Sequence, residues 1–137
     1  MKMAISAGGI VIKVVEGKPH VLLIIFPDDN GLGFPKGHVK EEESYEDTAL
    51  REVTEETGLK NLKVIKKLGV VTRPTVEDDG TKVEKDIHLY LMKANDYNHS
   101  EADENYDWFE IEEAINKMGF PQEAEFLKSI KSELIKV

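Results

Sequence analysis

The segment from Ser44 to Gly58 constrains this chain more than any other. Ser44 can cap a helix, and Asp47 three residues on makes a weaker form of the capping box. Ala49, Leu50, Val53 and Thr57 recur at the helical period, and Gly58 stands where a helix terminator belongs. On a wheel advancing ~100° per residue from Ala49, Val53 falls near ~40°, and Glu56, Glu52 and Glu55 at roughly 340°, 300° and 240°. The three glutamates form one band beside the stripe that must be buried. Glu52 and Glu56 repel each other at i,i+4 with no lysine between them. Carboxylates crowded beside an apolar face are costly unless a cation neutralises them. A hard divalent ion with oxygen ligands, Mg²⁺ or Mn²⁺, fits best. A generic helix of this pattern is more often a solvated acidic face, so its neighbours in the sequence decide the matter.

Around that helix the 137 residues read as a single domain, 1–137. Ile5–Val15 reads as a strand with a bulge or close backbone approach at Gly8-Gly9. Glu16–Pro19 reads as a turn, and His20–Phe26 as a strand too apolar to face water on either side. Pro27–Lys40 is a loop whose length argues for function. Leu62–Val76 and Val83–Lys93 read as strands about an Asp78-Asp79-Gly80 turn, and Ala94–Asn105 as a polar loop. A short strand over Tyr106–Ile111 and helices over Glu112–Met118 and Pro121–Lys136 complete the chain. The order predicts an α/β fold, a mixed sheet with helices on both faces.

Composition excludes several chemistries. There is no cysteine, hence no disulfide, thiol nucleophile or thiolate metal site. Twenty-seven acids against 18 bases give a net charge of −9, the wrong sign for a protein that neutralises nucleic-acid phosphates. The apolar run Val21–Phe26 is far too short to cross a bilayer, and the N-terminus has no long apolar stretch of a signal peptide, so no membrane partner is expected and the cytoplasm is the expected compartment.

In order, the central stretch presents Gly37, Glu43, Arg51-Glu52-Val53, Glu55-Glu56 and Gly58-Leu59. This spacing resembles the Nudix box, G-x5-E-x7-R-E-U-x-E-E-x-G-U, where U is apolar, at all nine defined positions. The resemblance implies a Nudix-type α/β/α sandwich and a metal-dependent hydrolase of nucleoside diphosphates linked to another moiety. By position it implies that Glu52 and Glu56 are the main metal ligands, with Glu55 assisting and the Gly37 carbonyl completing the shell. Arg51 and Glu43 would be the ion pair that fixes the box, and Gly58 the helix terminator. The general base in such enzymes often comes from a later loop, where Glu104 matches best, with Glu101 and Asp103 beside it.

Phe34-Pro35-Lys36-Gly37-His38 is similar to the diadenosine tetraphosphate hydrolase branch, with Lys36 and His38 as phosphate contacts. That branch implies cleavage of diadenosine tetraphosphate to ATP and AMP. Leu32 and Leu89 stand where many relatives carry aromatics, and Tyr90, one residue on, points to the opposite face of its strand. Pro74 is faintly similar to a proline of ADP-ribose pyrophosphatases, but reads better as a strand-edge residue. An ADP-ribose or nucleotide-sugar pyrophosphatase, a nucleoside triphosphate pyrophosphatase and a non-catalytic nucleotide-sensing module share the same box. The partner in every case is a small nucleotide, and the oligomeric state is not encoded in any motif.

Overall fold

A computed structural model describes residues 2–26, 31–94 and 105–135. Strand β1 (Lys2–Val15) turns into β2 (Lys18–Phe26) through Glu16-Gly17, both at positive φ, as a two-residue hairpin loop of type I′ requires. On its other edge β1 runs parallel to β6 (Lys82–Lys93), from Lys2 opposite Val83 to Ile12 opposite Lys93. The other strand pairs among the described residues are antiparallel, so the sheet is mixed as expected. β5 (Lys63–Val76) lies outside β6 as an edge strand, and β7 (Tyr106–Glu110) pairs with β2. Pro74 sits on β5, opposite Glu84, where an edge strand tolerates a missing N–H.

The sheet divides two apolar cores by the alternation of its side chains. Ile10, Ile12, Ile87, Leu89 and Leu91 face α2 (Ile111–Lys117) and α3 (Pro121–Leu134), which contribute Ala114, Leu127, Ile130 and Leu134. Ala7, Val11, Tyr90 and Met92 face α1 (Tyr45–Thr57) through Ala49 and Val53. Leu89 and Tyr90 therefore serve opposite faces, as strand alternation demands. Trp108, partly buried, packs with the α1 side, while Phe109 and Ile111 are core residues of the other.

The loop expected over Pro27–Lys40 contains two strands, β3 (Gly31–Gly33) and β4 (Lys36–His38). At three residues each, neither is long enough to show a period-2 pattern. β4 seats Gly37 opposite Ala7 of β1. β1 pairs with β2 from Ile12 onward, but with β4 at Ser6–Gly8. Gly8 and Gly9 permit this crossing by close approach. A Cβ on Gly8 would lie 2.2 Å from the Pro35 carbonyl oxygen, and one on Gly9 would lie 2.9 Å from Val53 of α1. Among the described residues no helix is long and apolar enough to cross a membrane.

Candidate active site

Helix α1 is capped as its sequence demands. The Asp47 amide donates to Ser44 Oγ at 3.1 Å, and Gly58, at φ 74°, donates its amide to the Thr54 carbonyl at 2.8 Å. Glu46 and Asp47 in its first turn suit the helix dipole, but the charges at its other end run against it. Glu55 and Glu56 occupy the last turn, where the dipole favours cations, and no basic residue offsets them there.

Arg51 organises the acids on the helix. Its Nε and Nη2 donate to the two oxygens of Glu43 at 2.7 and 2.9 Å, a bidentate pair, and Thr48 Oγ1 donates to the same carboxylate at 2.6 Å. These bonds hold the Glu43 carboxyl down at about 2 and raise the Arg51 guanidinium above its ordinary value. Arg51 also reaches Glu52 Oε1 at 2.7 Å, the His38 carbonyl of β4 at 3.3 Å and the exposed Glu55 at 3.4 Å. The glutamate band is thus less bare than the sequence suggests: Arg51 engages Glu52, and the Lys36 charge and backbone amide both act on Glu56.

Glu52 meets the β4 backbone at Gly37, and Glu56 meets it at the Lys36 amide. A Cβ there would lie 2.1 Å from Glu52 Cδ, so only glycine leaves room for that carboxylate. Burial, and then the neighbouring Glu52 charge, push the Glu56 carboxyl up to about 7, with Lys36 working the other way. Glu56 Oε2 is buried with no hydrogen-bond partner in the structure. Among the described residues no three acidic or histidine side chains already form a closed cage. An orphaned carboxylate oxygen beside a second carboxylate on a glycine backbone nevertheless fits a hard cation with oxygen ligands.

On the other face of β4 the charges reverse. Lys36 is not the loop lysine that its sequence context suggests. Its side chain is only 7% exposed, with Nζ 3.9 Å from Glu123 and 5.0 and 5.4 Å from the ring centres of Phe26 and Phe120. Burial pushes its ammonium below the usual range, while Glu123 opposes that shift. His38 is exposed beside it. Lys36 and His38 line a cleft of about 640 Å³ together with Gly37, Arg73, Lys85 and Phe120. Arg73 and Lys85 are register partners on β5 and β6, and Ser6, with its buried Oγ unpartnered, completes the wall from β1. Sequence reasoning missed Arg73, Lys85 and Glu123. Glu104, Glu101 and Asp103 lie outside the described residues.

Residues 5–130 match the NUDIX domain. The Mycobacterium tuberculosis protein MutT4 is 34% identical over 139 residues, covering 95% of this chain and 55% of the relative, so the chain spans about half the length of that curated relative. Among solved structures, the Caenorhabditis elegans Ap4A hydrolase superposes with a TM-score of 0.79 at 25% identity, covering 96% of this chain and 98% of that one. The Escherichia coli ORF135 protein does so with a TM-score of 0.63 at 26% identity, covering 96% and 91%. Nudix hydrolases generally use divalent metal ions and act on small nucleotides. The domain match takes in the acidic helix, its glycine strand and helices from both faces of the sheet, and the chain accordingly belongs to the Nudix family of hydrolases.

Proposed function

We propose that residues 1–137 act as one catalytic domain, a cytoplasmic pyrophosphohydrolase that cleaves diadenosine tetraphosphate to ATP and AMP with Mg²⁺ or Mn²⁺. One observation carries this reading: an acidic edge and a cationic cleft meet at β4. Glu52, Glu55 and Glu56 lie on one side, and Lys36, Arg73 and Lys85 on the other. The likeness to the C. elegans Ap4A hydrolase supports the substrate class.

Glu52, Glu56 and the Gly37 carbonyl would hold the ion, with Glu55 assisting. The bound ion supplies charge neutralisation for the pyrophosphate and a more acidic water. The chain's own residues do the rest. Arg51, clamped by Glu43, fixes the Glu52 side chain and the β4 backbone in one frame. Lys36 and His38 donate to phosphate oxygens beyond the scissile linkage, and charge-assisted contacts of this kind are the stronger ones. Glu104 takes the proton of the attacking water as its oxygen bonds to phosphorus and the bridging P–O bond breaks.

A second reading has its own support. Phe26 and Phe120 meet edge to face at 5.8 Å beside the cleft, a surface on which a single nucleobase could stack. That favours a nucleoside triphosphate pyrophosphatase. A substrate panel with product identification, run with Mg²⁺ and with Mn²⁺, separates the two. Diadenosine tetraphosphate giving ATP and AMP at the highest kcat/KM is the expected result. A nucleoside triphosphate giving its monophosphate and pyrophosphate faster would install the second reading.

A further inference from the structure

Glu123 is an acid where the sequence pattern calls for an apolar residue. On α3 it shares a stripe with Leu127, Ile130 and Leu134, all buried, and it is itself fully buried. A carboxylate so placed is costly unless its partners are well fixed. Its oxygens are divided among three groups. Oε1 accepts the Phe34 amide at 3.2 Å. Oε2 accepts Arg73 Nε at 2.9 Å and lies 3.9 Å from Lys36 Nζ. An apolar side chain could fill this space, and replacing buried ion pairs by packed apolar groups is often neutral or stabilising. Stability alone therefore does not call for the cluster.

What the cluster does is aim. Arg73 bonds Glu123 through Nε, so among the described residues its two Nη groups keep their N–H donors, and its guanidinium stacks 4.3 Å from the centre of the Phe120 ring. Lys36 is held from the same carboxylate oxygen. Both cations line the cleft, whereas Glu123 itself is not part of its wall. Through Phe34 the same carboxylate also ties α3 to the backbone two residues before Lys36.

We propose that Glu123 is a positioning residue: it holds Arg73 and Lys36 so that their remaining donors face the phosphates of a bound nucleotide, and it makes the first turn of α3 part of substrate selection. This rests on reading the cleft as the polyphosphate site. Arg73 is then a further phosphate contact beside Lys36 and His38, brought to the cleft wall by its place on β5.

The test uses the full chain in four forms: wild type, E123Q, R73Q and the double variant. KM and kcat are measured on diadenosine tetraphosphate, and metal-free binding of inorganic tripolyphosphate by calorimetry. E123Q should raise KM by about 10–100-fold, the scale of one lost charge-assisted hydrogen bond, and move kcat little. Tripolyphosphate affinity should fall in parallel, and the double variant should be no worse than the poorer single one. Effects of E123Q and R73Q that multiply independently would overturn the positioning role. Should E123Q fail to fold, E123D carries the test, since it keeps the charge and withdraws it by one methylene. A folded E123D with raised KM upholds the role, and one with wild-type KM overturns it. A wild type that neither binds tripolyphosphate nor cleaves the dinucleotide overturns the reading of the cleft, and the role with it. A wild type that does both, with independent variant effects, overturns the role alone.

Discussion

The carboxylate of Glu52 occupies the space that any side chain on residue 37 would need: a Cβ on Gly37 would lie 2.1 Å from Glu52 Cδ. The clash falls on the far end of a flexible side chain, so the fold can absorb it while the site cannot. Gly37→Ala should melt close to wild type and lose about 100-fold or more in kcat, the scale of a ~1 Å displacement. Thermal melting and steady-state kinetics on one preparation check this. A Gly37→Ala enzyme of near wild-type rate would remove Glu52 from the metal site.

Glu56 gives a pH signature in metal-free protein. Its carboxyl is raised to about 7 from an ordinary 4.5, so between those values the folded state binds more protons than the unfolded one. Stability should therefore fall as pH rises from about 4.5 to 7 and level off above, once both states are ionised. Glu56→Gln should flatten this slope and cut activity by more than the ~10–100-fold of an outer-sphere change. Melting in chelator across that range is the measurement. A slope that persists in Glu56→Gln would assign the effect to another group.

Arg51→Ala should lower both stability and rate, because it frees Glu43 and releases Glu52 together. The Glu43 carboxyl is held at about 2, below its unfolded value, so its pairing contributes stability above about 4.5 that is lost as pH falls toward 2. That acid sensitivity should shrink in Arg51→Ala. Lost activity with an unchanged melting temperature would instead make Arg51 a substrate contact.

Substrate preference should follow the phosphate chain more than the base. Diadenosine and diguanosine tetraphosphates should turn over within about tenfold of each other, ~1.4 kcal/mol in barrier, and ADP-ribose markedly slower. Lys36→Ala should narrow the gap between long and short substrates. A higher kcat/KM for ADP-ribose in the wild type would refute the dinucleotide assignment.

The acidic half of the site was legible because its determinants are local. Cap, stripe, glutamate spacing and terminating glycine all lie between Ser44 and Gly58, and a helix projects them in a fixed order. The cationic half was not. Arg73 and Lys85 become neighbours only through the β5–β6 register, and Lys36 acquires its burial from Phe26, Phe120 and Glu123, which come from distant segments. One signal was nevertheless present. Glu123 interrupts the spacing of Leu127, Ile130 and Leu134, and an acid on a buried stripe needs a buried partner. β4 was hidden because three residues cannot display alternation.

The parallel pairing of β1 with β6 has a kinetic consequence. Lys2 meets Val83 and Ile12 meets Lys93, so the central ladder closes a loop that already encloses the whole acidic motif. Such non-local pairing is slow to form, since chain entropy is lost before contacts repay it. Gly37 takes its place through β4, and among the described residues β1 is the one strand with which β4 pairs. A nascent chain released after the acidic helix would carry Glu43, Glu52, Glu55 and Glu56 and still lack β6, the strand that runs beside β1. Hydrolytic competence should therefore appear in refolding as one late, all-or-none event, and a fragment ending before β6 should be inert.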